Sequence, residues 1–297
     1  MKNNVQIFDN MSIDEYHSDK WNEYLSASAI LIADKSLKEF KYYIDGKLPE
    51  KVGSHFDFGN AFEMALLEPE QFKAGGKIAV FDSQKYIDEA LKNKPDLKVP
   101  TMSKFYKESK ELFYEDNVDK YIIEKDGTES FETILQMIES FNSESVSSKL
   151  LKNIEKQVSI FWTDKETGLK LKTRPDASKF NKSVLLDIKT TRDGSPHSFC
   201  NDVNKLKYWI QALLQIWGCK EAGLINELEA YFWISCEKVI PYNVTIYEFS
   251  KKDIIKKEKQ LKNLLLKIAD AKKTGFYGGY SDESKNEFGI LKAKIWD

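Results

Sequence analysis

The sequence predicts an α/β fold, a central mixed β-sheet flanked by helices, with a helical region before it and a helical insertion within it. Three observations carry this expectation. Val158, Ile160 and Trp162 alternate with Ser159, Phe161 and Thr163, and Leu169, Leu171 and Thr173 continue the alternation beyond a turn at residues 164–168, which is the two-residue period of strands. The run from Val184 to Thr191 is apolar enough for a central strand of a sheet. Helical spacing then takes over, with Leu206, Ile210, Leu213, Leu214 and Trp217 forming one stripe and Ile254, Ile255, Leu261, Leu264, Leu265 and Ile268 another.

Taken in order, the first 20 residues are polar and without strong periodicity, and read as an extended lead-in. After Leu25, the hydroxyls of Ser26 and Ser28 are candidate N-caps, and Ile30, Leu31, Leu37 and Phe40 form the apolar side of one or two helices. Lys47-Leu48-Pro49 breaks this pattern. Residues 56–67 predict a further helix, with Phe58, Phe62, Ala65 and Leu66 as its stripe, Glu63 inside it and Pro69 ending it. Residues 79–156 are charged, carry helical patterns such as Phe131, Ile134, Leu135 and Ile138, and turn at Asp126-Gly127. The strands follow, then a helix over residues 201–217 stopped by Gly218, two strands at residues 230–235 and 244–249 separated by Pro241, a lysine-faced helix over 251–273, and a tail from Tyr277 ordered by packing.

No repeat or low-complexity linker divides the chain, so one domain spanning 1–297 is expected. Its parts are an N-terminal helical part (1–78), a helical insertion (79–156), an α/β core (157–250), and a C-terminal helix with tail (251–297). With 297 residues, 41% apolar and 13% aromatic, the chain has material for a sizeable core. The net charge of −2 excludes a uniformly basic nucleic-acid coat, so phosphate contacts would come from local clusters or through metal ions. Cys200, Cys219 and Cys236 are odd in number and lack CxxC spacing, which argues against a disulfide framework or a structural zinc site and for a reducing cytoplasm. Neither a membrane span nor a signal peptide is expected, since no apolar run of about 18 residues is present.

The chemistry gathers between residues 170 and 211. Asp176 is followed, after ten intervening residues, by Asp187-Ile188-Lys189. On a strand Asp187 and Lys189 share one face while Leu186 and Ile188 share the other. A hairpin through residues 180–183 would set Asp176 beside Asp187. Converging carboxylates repel unless a divalent cation lies between them, and oxygen-only ligation suits Mg²⁺ or Mn²⁺. Lys189 could orient or help deprotonate a water, or stabilise charge growing on a phosphate, so the set fits phosphodiester hydrolysis. An ion-paired strand end is the plain alternative for Asp-x-Lys alone.

Pro175-Asp176 and Asp187-Ile188-Lys189 resemble the signature of the PD-(D/E)xK nuclease superfamily, and Tyr208-x-x-Gln211 is similar to the motif of its RecB-like exonuclease branch. The segments Tyr24-Leu25-Ser26-Ala27-Ser28, Phe58-Gly59-Asn60-Ala61-Phe62-Glu63, Leu67-Glu68-Pro69, Thr167-Gly168-Leu169, Pro241-Tyr242 and Gly279-Tyr280 resemble the exonuclease VIII (RecE) type common in prophages. Together they span nearly the whole chain. The resemblance implies a restriction-endonuclease-like core and a Mg²⁺-dependent exonuclease that degrades linear duplex DNA from 5′ ends, leaving a 3′ strand for recombination. It also implies a ring-like homo-oligomer and a single-strand annealing protein as partner.

By the same resemblance, Glu63, Asp176, Asp187 and the main-chain carbonyl of Ile188 would bind metal, with Lys189 at the attacking water. Gln211 and Tyr208 would touch DNA or brace the site. Ser28 resembles a serine that helps hold a 5′-phosphate, with a plain N-cap as the alternative. Arg174 is a candidate phosphate contact, or the ion-pair partner of Asp176 or Asp187. Two positions depart from the pattern: Glu63 stands where many relatives carry histidine, and Gln157 where they often carry glutamate. An endonuclease using the same triad, and a non-catalytic DNA-binding or assembly protein, are the alternatives. His17, His55 and His197 lack metal-ligand spacing, Trp209 and Trp217 suit packing, the lysines of 251–273 suit a solvated face, and no GxxxxGK[ST] loop points to an ATP motor.

Overall fold

Serine hydroxyls start many of the helices. In the computed structural model, which describes residues 5–49, 54–75 and 77–283 with backbone alone at 54–56 and 283, the chain begins with β1 (Gln6–Phe8) and α1 (Ile13–His17). Ser12, Ser26 and Ser36 accept from backbone amides to cap α1, α2 (Ala27–Lys35) and α3 (Leu37–Ile44). Then come α4 (Ser54–Leu67), α5 (Pro69–Ala74), β2 (Ile78–Phe81), α6 (Ser83–Asn93), α7 (Lys104–Asp116), β3 (Tyr121–Glu124), α8 (Phe131–Ser143) and α9 (Ser145–Leu150). The strands β4 (Glu155–Lys156), β5 (Ser159–Thr163), β6 (Lys170–Thr173), β7 (Ala177–Lys179) and β8 (Val184–Thr191) lead to α10 (Pro196–Lys205) and α11 (Tyr208–Glu221). β9 (Ala230–Glu237), β10 (Val244–Glu248) and α12 (Lys251–Thr274), capped by Ser250, complete the core.

The central sheet is five-stranded, in the order β10-β9-β8-β7-β4. It is mixed: β8 and β9 run parallel, while β7 with β8, β4 with β7 and β10 with β9 are antiparallel. Successive residues of β8 point to opposite faces and feed two cores. Leu185 joins Tyr231 and Trp233 under α2, α11 and α12, whereas Leu186 and Ile188 join Ile234 against α4 and α8. Each fully buried Leu, Ile or Phe in these layers contributes about 1.5–3 kcal/mol relative to exposure, so this two-sided burial holds β8 in register.

Several expectations change. The supposed lead-in is ordered: β1 pairs with β5 in a three-stranded sheet β1-β5-β6, and Met11, Tyr16 and Trp21 pack with Phe161. Residues 79–156 are not purely helical, because β2 and β3 form a parallel pair, with Asp57 of α4 accepting from the Ile122 amide at 3.1 Å. The helix expected over 201–217 is two helices, broken where Lys207 adopts φ of +55°. Leu206 at the break is 47% exposed instead of buried, and Ile255 of the α12 stripe is 69% exposed.

Gly218 does not stop α11. It lies inside the helix, where a Cβ would meet Thr173 Cγ2 at 2.7 Å and Trp162 Cζ3 at 3.0 Å, so it lets α11 press against β5 and β6. Residues 284–297 of the expected tail, and the side chain of His55, lie outside the described residues. Among the described residues no helix is long and apolar enough to cross a membrane.

Candidate active site

Two crossings between the sheets create the site. β6 of the three-stranded sheet passes through Arg174-Pro175-Asp176 into β7 of the five-stranded sheet, and β4 passes through Gln157-Val158 into β5 in the opposite direction. The Gln157 amide donates to the Asp176 carbonyl at 3.1 Å, tying the crossings together, and Gln157 turns the corner with φ of +49°. The antiparallel register pairs Ala177 with Leu186, so the next step brings Asp176 opposite Asp187. The hairpin runs through residues 180–182, as the spacing suggested.

The Asp176 carboxylate accepts from the Ile188 amide at 2.8 Å. That bond engages the N–H of Ile188, whose side chain packs in the core on the α4 side of the sheet. Burial raises the Asp176 pKa well above the ordinary range, and repulsion from Glu63 and Asp187 adds to it, against the opposing pull of Lys189 and the Ile188 amide. Asp187 is 0% exposed, and burial raises its pKa while Lys189 and Gln215 oppose the shift. Lys189 Nζ stands 2.6 Å from Asp187 Oδ2, yet neither Asp187 oxygen has a partner at hydrogen-bonding angles. Their attraction is chiefly charge on charge.

Lys189 is held from three sides. It donates to Gln211 Oε1 at 3.1 Å, faces Asp187, and lies over the Tyr208 ring at 5.2 Å from its centroid. Burial presses its pKa down, but the carboxylates of Asp187 and Asp176 prevail and raise it, so the ammonium form persists. Tyr208 and Gln211 occupy the first turn of α11, which brings both toward β8.

Glu63 arrives from α4 on the other side of the crossing. Its Oε1 accepts from Gln157 Nε2 at 2.8 Å, and Gln157 Oε1 accepts from Arg174 Nη2 at 2.7 Å. Burial raises the Glu63 pKa, and the Gln157 hydrogen bond and Lys189 hold it down. Arg174 also donates to the Met11 carbonyl at 2.6 Å and Ser159 Oγ at 3.2 Å. These bonds, and not an ion pair to Asp176 or Asp187, fix its guanidinium.

A cleft of about 770 Å³ runs over these groups, lined by Ser28, Glu63, Arg174, Asp176, Tyr208, Gln211 and Gln215 among others. Ser26, not Ser28, caps α2, so the Ser28 hydroxyl is not taken up by that cap. Asp187 lies wholly buried beneath the lining, and Lys189, with 17% of its side chain exposed, stands beside it. His17 also faces the cleft, whereas His197 is exposed on α10 with Asn201 at 3.1 Å. Trp217 donates to Glu258 at 3.0 Å and Trp209 packs in the core under Lys257, so both tryptophans serve packing.

Among the described residues no three His, Cys, Asp or Glu side chains stand close enough to form a ready metal shell. The donor chemistry nevertheless fits a hard divalent cation. Asp187 presents two buried carboxylate oxygens without a donor at hydrogen-bonding angles, one of them beside the Lys189 ammonium, and Asp176, opposite it across the hairpin, is destabilised as an anion by burial and by Glu63 and Asp187. A cation bound to such oxygens would relieve both conditions.

Sequence reasoning missed Gln215, Tyr231 and Lys172. Gln215 had a signal, since it lies four residues beyond Gln211, one turn along the same helix face, in an otherwise apolar run. Lys172, buried among cleft residues, donates to the Tyr16 carbonyl at 2.8 Å, and burial pushes its pKa down to about 8.

The model of a family described as a PDDEXK-like domain of unknown function (DUF3799) matches residues 26–286. Among solved structures, the chain is similar to a Eubacterium rectale crystal structure named "Putative exonuclease", with a TM-score of 0.59 and 12% identity over 97% of this chain and 96% of that one. At that identity the likeness shows the fold. A second structure, SSO0001, gives a TM-score of 0.31 and 16% identity over 78% of this chain and 92% of that one, too low to support an argument. No curated protein sequence matches.

Proposed function

This chain belongs to the PDDEXK-like domain family (DUF3799), and on that premise we propose that it is a metal-dependent exonuclease hydrolysing the phosphodiester bonds of linear duplex DNA. One observation carries the reading: Asp176 stands opposite Asp187, with Lys189 on the same strand and Glu63 reaching the same cleft. Glu63, Asp176, Asp187 and the main-chain carbonyl of Ile188 are the groups that would hold Mg²⁺, with Mn²⁺ as substitute. When bound, such an ion neutralises phosphate charge and makes water more acidic.

The remaining roles belong to the chain's own side chains. Lys189 offers an ammonium to the attacking water or to the developing phosphate charge, and Gln211 and Tyr208 hold it in place. Ser28, which lines the cleft from the N-terminal turn of α2, would hold a 5′-phosphate in this reading. Arg174 serves this reading best as a brace, since its bonds orient the Gln157 amide that holds Glu63.

Degradation from 5′ ends, a ring-shaped homo-oligomer and a single-strand annealing partner belong to the same reading, by the resemblance to the exonuclease VIII type. The name of the Eubacterium rectale protein, "Putative exonuclease", supports the exonuclease part of the reading alone. Three free cysteines, two of them buried, suit action in a reducing cytoplasm.

The deciding assay mixes purified protein and Mg²⁺ with linear duplex DNA labelled at its 5′ or 3′ ends, and with covalently closed circles. Release of 5′ label from linear DNA, with circles intact and Lys189→Ala inactive, is the expected result. Cut circles would make the protein an endonuclease. Equal activity in wild type and variant, or none in either, would remove the catalytic assignment.

A further inference from the structure

Gln215 is a polar side chain in the apolar run of residues 212–217, yet it is 0% exposed. Tyr231 of β9 is equally buried, and its hydroxyl donates to Gln215 Oε1 at 2.6 Å. With its oxygen engaged on one side, the planar amide directs Nε2 away from Tyr231. That nitrogen is buried with no acceptor at hydrogen-bonding angles, and Asp187 has no donor at such angles on either oxygen, Lys189 Nζ standing 2.6 Å from Oδ2 as a charge partner. A donor lacking an acceptor lies in the same buried layer as an acceptor lacking a donor.

The elements explain why the two meet. Tyr231 is the register partner of Leu185, and Leu185 and Asp187, two residues apart, project from the same face of β8. α11 covers that face, and Gln211 and Gln215 follow each other by one turn along it. Gln211 holds Lys189, so the next glutamine falls at Asp187. An amide turned the other way would set its oxygen against the Asp187 carboxylate.

We propose that Tyr231 and Gln215 form a buried positioning relay for Asp187, in which Tyr231 orients the Gln215 amide and Gln215 Nε2 holds one carboxylate oxygen, leaving the other for a divalent cation. Neither residue touches substrate; both act through Asp187. The inference rests on the metal-dependent reading of the site.

Mn²⁺ binding to the full chain without DNA, followed by electron paramagnetic resonance of the free ion, tests it. Tyr231→Phe keeps the ring and its packing, so it should fold with a nearly unchanged melting temperature while weakening Mn²⁺ binding about tenfold, as loss of supporting hydrogen bonds around metal ligands does. Gln215→Leu should weaken binding at least as much. The double variant should lose no more than Gln215→Leu alone, because the residues act in series. Should Gln215→Leu not fold, Tyr231→Phe decides. Wild-type Mn²⁺ affinity in Tyr231→Phe, or losses that simply add in the double variant, would overturn the relay while the nuclease reading stands. Absence of Mn²⁺ binding in wild type would remove both.

Discussion

Gln157 Nε2 donates to Glu63 Oε1 at 2.8 Å, and so couples a residue at the crossing between two sheets to a helix 94 positions earlier. Arg174, donating to the other end of the Gln157 amide at 2.7 Å, fixes which end faces the acid. A hydrogen bond to a charged group contributes about 1.5–3 kcal/mol. Gln157→Ala is therefore expected to free Glu63 and lower the rate of nucleotide release about tenfold. Gln157→Gly should be as slow but more stable than Gln157→Ala by about 1 kcal/mol, since the position holds φ of +49°. Urea unfolding and nucleotide release measured on both variants check this; unaltered release would remove Gln157 from the site.

Lys189 and Asp187 form a pair in which the carboxylate is wholly buried. Lys189→Met leaves that charge without its cation and is expected to destabilise the metal-free protein by about 3–5 kcal/mol. Adding Asp187→Leu should recover much of that loss without restoring cleavage. Denaturant unfolding in chelator compares the single and double variants. Equal stability of Lys189→Met and wild type would show that the pair contributes nothing to the fold.

Gly218→Ala sets helix propensity against packing. Alanine favours a helix over glycine by about 1 kcal/mol. The new methyl would, however, lie 2.7 Å from Thr173 Cγ2 and 3.0 Å from Trp162 Cζ3, deep in the contact of α11 with the three-stranded sheet. Overpacking of this kind costs about 1–3 kcal/mol, so a net loss of stability is expected. A urea midpoint at or above that of wild type would contradict it.

Lys172 predicts a pH dependence of stability. Its pKa falls to about 8 in the folded protein because burial disfavours the ammonium, against about 10.4 in an unfolded chain. Below the folded value the lysine is charged in both states and its burial opposes folding. Between the two values the unfolded chain binds more protons, so the Lys172 contribution to stability rises with pH through that window and levels off above it. The difference in unfolding free energy between wild type and Lys172→Met should shift toward wild type from pH 8 to pH 10, and parallel curves would refute this.

The strand carrying Asp187 and Lys189 was legible because its evidence is local. A two-residue period fixes which side chains share a face, and the short segment after Asp176 closes only as a hairpin. The start of α2 was legible for a similar reason, at Ser26. β2 and β3 were hidden because each spans only four residues and they pair in parallel across the intervening α6 and α7, leaving no local period to detect. Gly218 was misread as a stop because its close approach to Trp162 depends on a sheet assembled elsewhere.

By itself, the sequence determined the mixed α/β character, the Asp176, Asp187 and Lys189 spacing, and the common face of the last two, since each follows from chain geometry over a few residues. The tertiary structure alone decided that Glu63 is met by Gln157, that Arg174 is spent on bracing, and that Tyr231 and Gln215 sit in the buried layer of Asp187. Those relationships join positions far apart in the chain. They exist because burial of the two apolar layers holds helices and sheets at fixed separations, where a polar atom must find a partner or remain without one.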